Sequence, residues 1–242
     1  MELQEAIDHL DTYGYCLLEN LISVESADCM AEKYFQLHED PANRRLFQDP
    51  NAELYQTLFS VINLDEMCWE CIIHPQVLAV VRHFLGENAR SSGQGSTKWV
   101  KPGAPMGGLH VDSAHDLPPR LPDIPWMINT IWMITDFTED NGATIVVPFS
   151  HRTRRRPLPG ISLSDMCSLS VTARRGSVVL WQGGTWHANG ANTSHDNHRM
   201  GLNFAYFPPW WNQGREGART VLPEVFERMP KTLQDLCRHR VS

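Results

Sequence analysis

The sequence predicts a mainly β fold with flanking helices, a barrel or jelly roll buttressed by helices on its N-terminal side. Two observations carry this. The first hundred residues are dominated by helical spacing of apolar residues, whereas from Lys98 onwards β-branched and aromatic runs alternate with Gly, Pro and Asn turns. No repeat, low-complexity tract or linker divides the chain, so residues 1–242 read as one domain. Residues 1–96 would form a mostly helical buttress, 97–210 the β core and 211–242 a helical tail.

Taken in order, Glu5-Ala6-Ile7-Asp8-His9-Leu10 has helical spacing and Gly14 ends that segment. Tyr15–Leu18 is a short strand. Ser23-Val24-Glu25-Ser26 is a capped helix start running towards Leu37. A further helix spans about His74 to Leu85 and stops at Gly86. The strands are Thr97–Lys101, Ile128–Phe137, Ala143–Val147, Ser177–Trp181 and Met200–Phe207. Asp140-Asn141-Gly142 between two of them predicts a hairpin.

Bulk composition narrows the function classes. With 42% hydrophobic and 20% charged residues and a formal charge of −7, the chain is an ordinary globular one with no general attraction to nucleic acid or anionic membranes. No apolar run approaches the roughly 20 residues that span a bilayer. The acidic start MELQEAIDHL lacks the features of a secretory signal. A cytoplasmic protein with no nucleic-acid or membrane partner is therefore the expectation; the oligomeric state, homodimer included, is open. The six cysteines form no disulfide framework, and Cys68 and Cys71 read as two thiols on a partly buried helix.

The chemistry begins at His110-Val111-Asp112. Residues two apart on an extended segment share a face, so an imidazole and a carboxylate can point together into a barrel mouth. His187 follows the strand GSVVLWQ after the turn Gly183-Gly184-Thr185. Two histidines and one carboxylate on one side of a metal leave positions open, the arrangement of non-haem iron(II) oxygenases. Arg199 opens the strand RMGLNFAYF, whose alternation puts Arg199, Gly201 and Asn203 on one face. An inward guanidinium needs an anionic partner, and a dicarboxylate co-substrate suits its fork.

These segments, in this order, resemble the phytanoyl-CoA dioxygenase family of iron(II)/2-oxoglutarate oxygenases over most of residues 1–210. LQEAIDHLDTYGYCLLENLIS is similar to the family's opening helix and strand, and HPQVLAVVRHFLGENA to its helix before the barrel. LHVDSAHD resembles the first metal motif. TIWMITDFTEDNGATIVVPFSHR resembles the signature hairpin, with Phe149 where a Gly is usual. GSVVLWQGGTWHANGANTSHDNHR resembles the distal histidine and the co-substrate arginine. The resemblance implies a double-stranded β-helix (cupin-like jelly roll) core. It implies that His110, Asp112 and His187 hold iron(II) and that Arg199 binds the distal carboxylate of 2-oxoglutarate. It further implies co-substrate contacts from Trp132 and Asn189, and O2 as second co-substrate. The expected reaction oxidises a small-molecule metabolite by hydroxylation, desaturation or cyclisation, in the manner of natural-product biosynthesis, with release of succinate and CO2. Asp112 favours oxygenation, since halogenating relatives carry a small residue there. A zinc-type hydrolase or isomerase on the same triad, or a non-catalytic jelly-roll binding module, are the competing readings.

Other polar clusters read as solvated. His115-Asp116 belong to an entrance loop, His195 and His198 to a polar turn, and His151-Arg152-Thr153-Arg154-Arg155-Arg156 to an exposed basic loop. Pro208-Pro209-Trp210-Trp211 closes the last strand with aromatics.

Overall fold

The structure is a computed structural model that describes residues 1–114, 117–161, 163–211, 220–238 and 241. Its strands are β1 (Tyr15–Leu18), β2 (Tyr55–Phe59), β3 (Arg90–Ser91), β4 (Ser96–Val100), β5 (Ile128–Met133), β6 (Thr144–Val146), β7 (Leu169–Ser170), β8 (Val178–Gln182), β9 (His187–Asn189) and β10 (Arg199–Phe207). Its α-helices are α1 (Leu3–Tyr13), α2 (Val24–Glu39), α3 (Val61–Leu64), α4 (Cys68–Ile72), α5 (Pro75–Leu85), α6 (Pro223–Phe226) and α7 (Lys231–Cys237).

Two antiparallel sheets face each other. The larger runs β1-β8-β5-β10-β4-β2, with β3 on the far end of β10; the smaller runs β7-β6-β9. Alternation along the strands sorts the two faces of the large sheet. Ile128, Trp132, Val178, Leu180, Met200, Leu202 and Phe204 join the helices in one core, while Ile131, Met133, Val179 and Trp181 meet Phe137, Ala143 and Val146 between the sheets. The helix-buttressed jelly roll predicted from the sequence is the fold observed.

Local chemistry explains the buttress. α1 buries Ala6, Ile7 and Leu10, and Gly14 ends it in the left-handed region at φ 86°, its N–H donating to the Leu10 carbonyl. A side chain at Gly14 would come within 2.6 Å of Thr185 Oγ1, so glycine is needed for close approach as well as for φ. Thr185 Oγ1 donates to the Gly14 carbonyl at 2.7 Å and the Gln182 N–H to the same oxygen at 3.0 Å, so the α1–β1 corner supports the turn that delivers His187.

The structure departs from two expectations. The Asp140-Asn141-Gly142 turn is present, with Gly142 at φ 90° and the Thr138 N–H donating to Asn141 Oδ1, but it is not a hairpin. Both edges of β5 are already occupied by β8 and β10, so the chain crosses to the other sheet and β6 pairs with β7 and β9. The N-terminal region is also less helical than predicted. β2 lies in it, paired with β4, because Tyr55, Thr57 and Phe59 alternate with Gln56 and Leu58 along a sheet edge. Cys68 and Cys71 are buried on α4, where burial raises both thiols well above the ordinary range.

Candidate active site

The open end of the space between the sheets gathers His110, Asp112 and His187, whose ligand atoms all lie within 4.8 Å of one another. Backbone pairing does this. His110 and His187 exchange N–H···O bonds of 3.1 Å each way, which adds the His110 segment to the edge of β9, and the Asp112 N–H donates to the Gly183 carbonyl. His187 Nε2 lies 3.2 Å from Asp112 Oδ2, and His110 Nε2 3.7 Å from Oδ1.

Ring orientation is set from behind. His110 Nδ1 sits 2.8 Å from the Gly108 carbonyl and His187 Nδ1 2.9 Å from the Thr185 carbonyl. A carbonyl only accepts, so Nδ1 of each ring carries a proton and donates there, which leaves Nε2 as the ring atom turned towards the carboxylate. Burial holds His187 below the ordinary histidine pKa, with Asp112 opposing. Burial alone would raise Asp112, but His187, His110 and two hydrogen bonds outweigh it and hold the carboxyl below its usual range. Those bonds come from Asn129 Nδ2 and Trp181 Nε1, each 2.9 Å from Oδ2.

Arg199 is completely buried between the sheets. Its Nη2 donates to Thr144 Oγ1 at 3.1 Å, its Nη1 faces Asn189 Oδ1 at 3.5 Å, and its guanidinium lies 4.1 Å over the Phe137 ring. Nε has no partner, and among the described residues no carboxylate pairs with the charge. Burial lowers its pKa to about 10. Asn189 Nδ2 donates to the Tyr55 hydroxyl at 2.9 Å, and Lys98 Nζ lies 3.4 Å from the same oxygen. Burial would raise the Tyr55 phenol, but Lys98 and Arg199 pull it below its ordinary value. Two cations and a polarised phenol thus line one interior wall.

Comparison with known proteins decides what this arrangement belongs to. Residues 10–201 match the phytanoyl-CoA dioxygenase (PhyH) family. The chain belongs to the phytanoyl-CoA dioxygenase family. Membership makes it an enzyme of the iron(II)/2-oxoglutarate-dependent dioxygenase class. It is 27% identical over 225 residues to dioxygenase af480 of Aspergillus fumigatus, covering 86% of this chain and 67% of that protein. It is 37% identical over 123 residues to dioxygenase cdmA of Talaromyces verruculosus, covering 48% of this chain and 39% of that one. Its fold is similar to that of HygX from Streptomyces hygroscopicus, solved with nickel, 2-oxoglutarate and hygromycin B bound. The TM-score there is 0.67 at 16% identity, over 88% of this chain and 90% of the other.

Within this dioxygenase, five of the six residues picked from the sequence converge: His110, Asp112, His187, Arg199 and Asn189. Trp132 does not. It has the opposite parity to Asn129 on β5, so its ring turns to the helix-covered face, fully buried and 5.7 Å from the His74 ring, and it is a core residue rather than a co-substrate contact. Sequence reading missed Tyr55, Lys98, Thr144, Asn129 and Trp181; the signal available was polar side chains inside strand-like runs. The basic loop is not simply solvated either. Arg156 donates to the Ala114, Leu117 and Pro118 carbonyls, while Arg154 donates to the Leu121 carbonyl and pairs with Asp123 at 3.3 Å. These arginines hold the segment that follows the His110 motif. His195 and His198 are exposed as expected, although His198 accepts from the Trp99 indole. His115 and Asp116 lie outside the described residues. Trp210 is exposed while Trp211 packs towards Ala114 and Trp126. No helix among the described residues is long and apolar enough to cross a membrane.

Proposed function

We propose that this dioxygenase oxidises a small organic metabolite at a mononuclear iron held by His110, Asp112 and His187, with 2-oxoglutarate anchored by Arg199. One observation carries the metal assignment. Two imidazole Nε2 atoms and a carboxylate are turned towards each other, 3.2 and 3.7 Å apart, with both Nδ1 protons already committed to carbonyls. With both rings neutral, three electron-rich groups so arranged repel unless a cation lies among them, and this donor set suits iron(II). The co-substrate assignment rests on the buried, carboxylate-free Arg199, since a charged group out of water requires a counter-charge.

Bound iron supplies the redox chemistry that couples decarboxylation of 2-oxoglutarate, to succinate and CO2, to oxidation of the organic substrate. The chain's own groups position the reactants. Arg199 takes one carboxylate of the dianion, aided by Thr144 Oγ1 and Asn189, while Phe137 excludes water from the guanidinium face. Lys98 supplies a second positive charge on the metal side of that wall, close enough to influence His187. The His110 side chain is half exposed, so organic substrate enters from its side of the metal. A natural-product-sized metabolite is the proposed substrate class, supported by the fold shared with HygX, which was solved holding hygromycin B.

Anaerobic titration with iron(II) and 2-oxoglutarate tests the proposal. A weak visible charge-transfer band should appear in the wild type and vanish in His187→Ala. Folded wild-type protein that takes up iron and 2-oxoglutarate without the band removes the chelate, and with it this assignment.

A further inference from the structure

Behind the three ligand side chains lies a polar string that iron binding alone does not require. Asn129 and Trp181 are directly opposite across the β5–β8 pair, and both donate to the same carboxylate oxygen, Asp112 Oδ2, at 2.9 Å. The Asn129 amide is not free to turn over. Its Oδ1 accepts from the Thr130 N–H at 3.0 Å and from Asn203 Nδ2 at 2.8 Å, and Asn203 Nδ2 is itself held 2.6 Å from the Thr130 carbonyl. A backbone N–H can only donate, so the oxygen end of Asn129 faces it and the NH2 end is committed to Asp112. Asn129 and Trp181 are buried, which removes water as a substitute donor. Asp112 Oδ1, by contrast, accepts no hydrogen bond among the described residues.

We propose that Asn129 and Trp181, with Asn203 locking the Asn129 amide, are positioning residues that occupy Asp112 Oδ2 and reserve Oδ1 as the single carboxylate ligand atom. The inference rests on the metal assignment above and assigns these three residues a task within it. Each N–H donor draws electron density from Oδ2 and pins the carboxylate plane. The carboxylate is thereby kept from wrapping both oxygens around the ion and filling a position that co-substrate and oxygen need. Outer hydrogen bonds of this kind are worth 10- to 100-fold in metal affinity.

The test uses the whole chain, metal-free and then titrated anaerobically with iron(II). Readouts are dissociation constant, charge-transfer band with 2-oxoglutarate present, and melting temperature of the metal-free protein. Trp181→Phe keeps an aromatic ring in place while removing the indole N–H donor with part of the bicycle; Asn129→Leu keeps roughly the volume and removes the other donor. Each should weaken iron(II) about 10-fold or more and shift the band, with Trp181→Phe melting within a few degrees of wild type. Asn203→Leu should give a smaller loss, because Asn129 keeps its Thr130 anchor. If Asn129→Leu does not fold, Trp181→Phe decides alone. Wild-type affinity and an unmoved band in a folded Trp181→Phe overturn the inference while leaving the metal site standing. A wild type that binds no iron at all overturns both.

Discussion

Arg199→Met separates what the arginine costs the fold from what it does for the co-substrate. In the protein its pKa falls from 12.5 to about 10, which at about 1.4 kcal/mol per unit corresponds to about 3 kcal/mol against keeping the charge buried. Methionine removes that cost but leaves Thr144 Oγ1 and Asn189 Oδ1 without their donor, giving back about 1 kcal/mol each. The metal-free variant should therefore unfold at the wild-type temperature or a few degrees above it. Co-substrate binding should behave oppositely. Losing a buried charge partner costs about 3 kcal/mol, or about 150-fold in affinity. At 2-oxoglutarate held near 100 times the wild-type Kd, binding adds about 2.7 kcal/mol to stability, roughly 5–10 °C in a chain of this size. At the same concentration the variant gains about 0.3 kcal/mol, roughly 1 °C. Differential scanning fluorimetry of the metal-free proteins reads the first effect, and the same measurement on the nickel-loaded proteins, with and without 2-oxoglutarate, reads the second. A full wild-type shift in Arg199→Met, or a metal-free variant melting more than about 10 °C lower, would refute the reasoning.

Phe149 occupies the left-handed region at φ 66°, where the family resemblance places glycine, so Phe149→Gly should stabilise the protein by about 1 kcal/mol, less what the 4.9 Å contact with the Tyr13 ring contributes; urea denaturation showing a loss of more than about 1 kcal/mol would mean the ring contact dominates. Burial lowers His38 from 6.5 to about 4, so the unfolded chain binds more protons between those values and stability falls on acidification through that window, by up to about 3 kcal/mol. His38→Gln should flatten that slope in pH-dependent denaturation; an unchanged slope assigns it to other groups. Lys98→Met should raise the 2-oxoglutarate Kd about 10-fold in calorimetry while leaving iron uptake intact, and equal affinity would take Lys98 out of the binding wall. Arg156→Ala removes donors from three carbonyls after the His110 motif and should speed proteolytic cutting between Leu117 and Leu121, with little change in melting temperature; unchanged cutting would show that Arg154 suffices.

The clustering of His110, Asp112 and His187, the proposed metal ligands, and the inward placement of Arg199 were readable because short-range rules place them. Two-residue spacing puts His110 beside Asp112, and strand alternation turns Arg199 inward with Gly201 and Asn203. The same alternation, applied to β5, separates Trp132 from Asn129; resemblance to a family tryptophan suggested the wrong parity, and the pairing of β5 with β10 corrects it. Tyr55 and Lys98 were not readable because they become neighbours only through the pairing of β2 with β4, which no local pattern announces. Apart from the Arg154–Asp123 pair, the Arg154 and Arg156 contacts are to backbone carbonyls, which every residue carries, so they have no sequence signature.

The carbonyl of Gly14 meets Thr185 across 171 residues of sequence, and that of Leu10 meets Gln182 across 172. His187 is delivered by the turn those bonds support, and Asp112 is held by donors from two other strands. Half-made protein on the ribosome therefore lacks the proposed iron site: His110, Asp112 and His187 come together only once almost the whole topology has closed. Contacts this distant make folding slow and place metal capture at its end. Iron uptake during synthesis or refolding should lag behind the recovery of secondary structure and coincide with the final packing of the first helix, making the metal a reporter of completed folding.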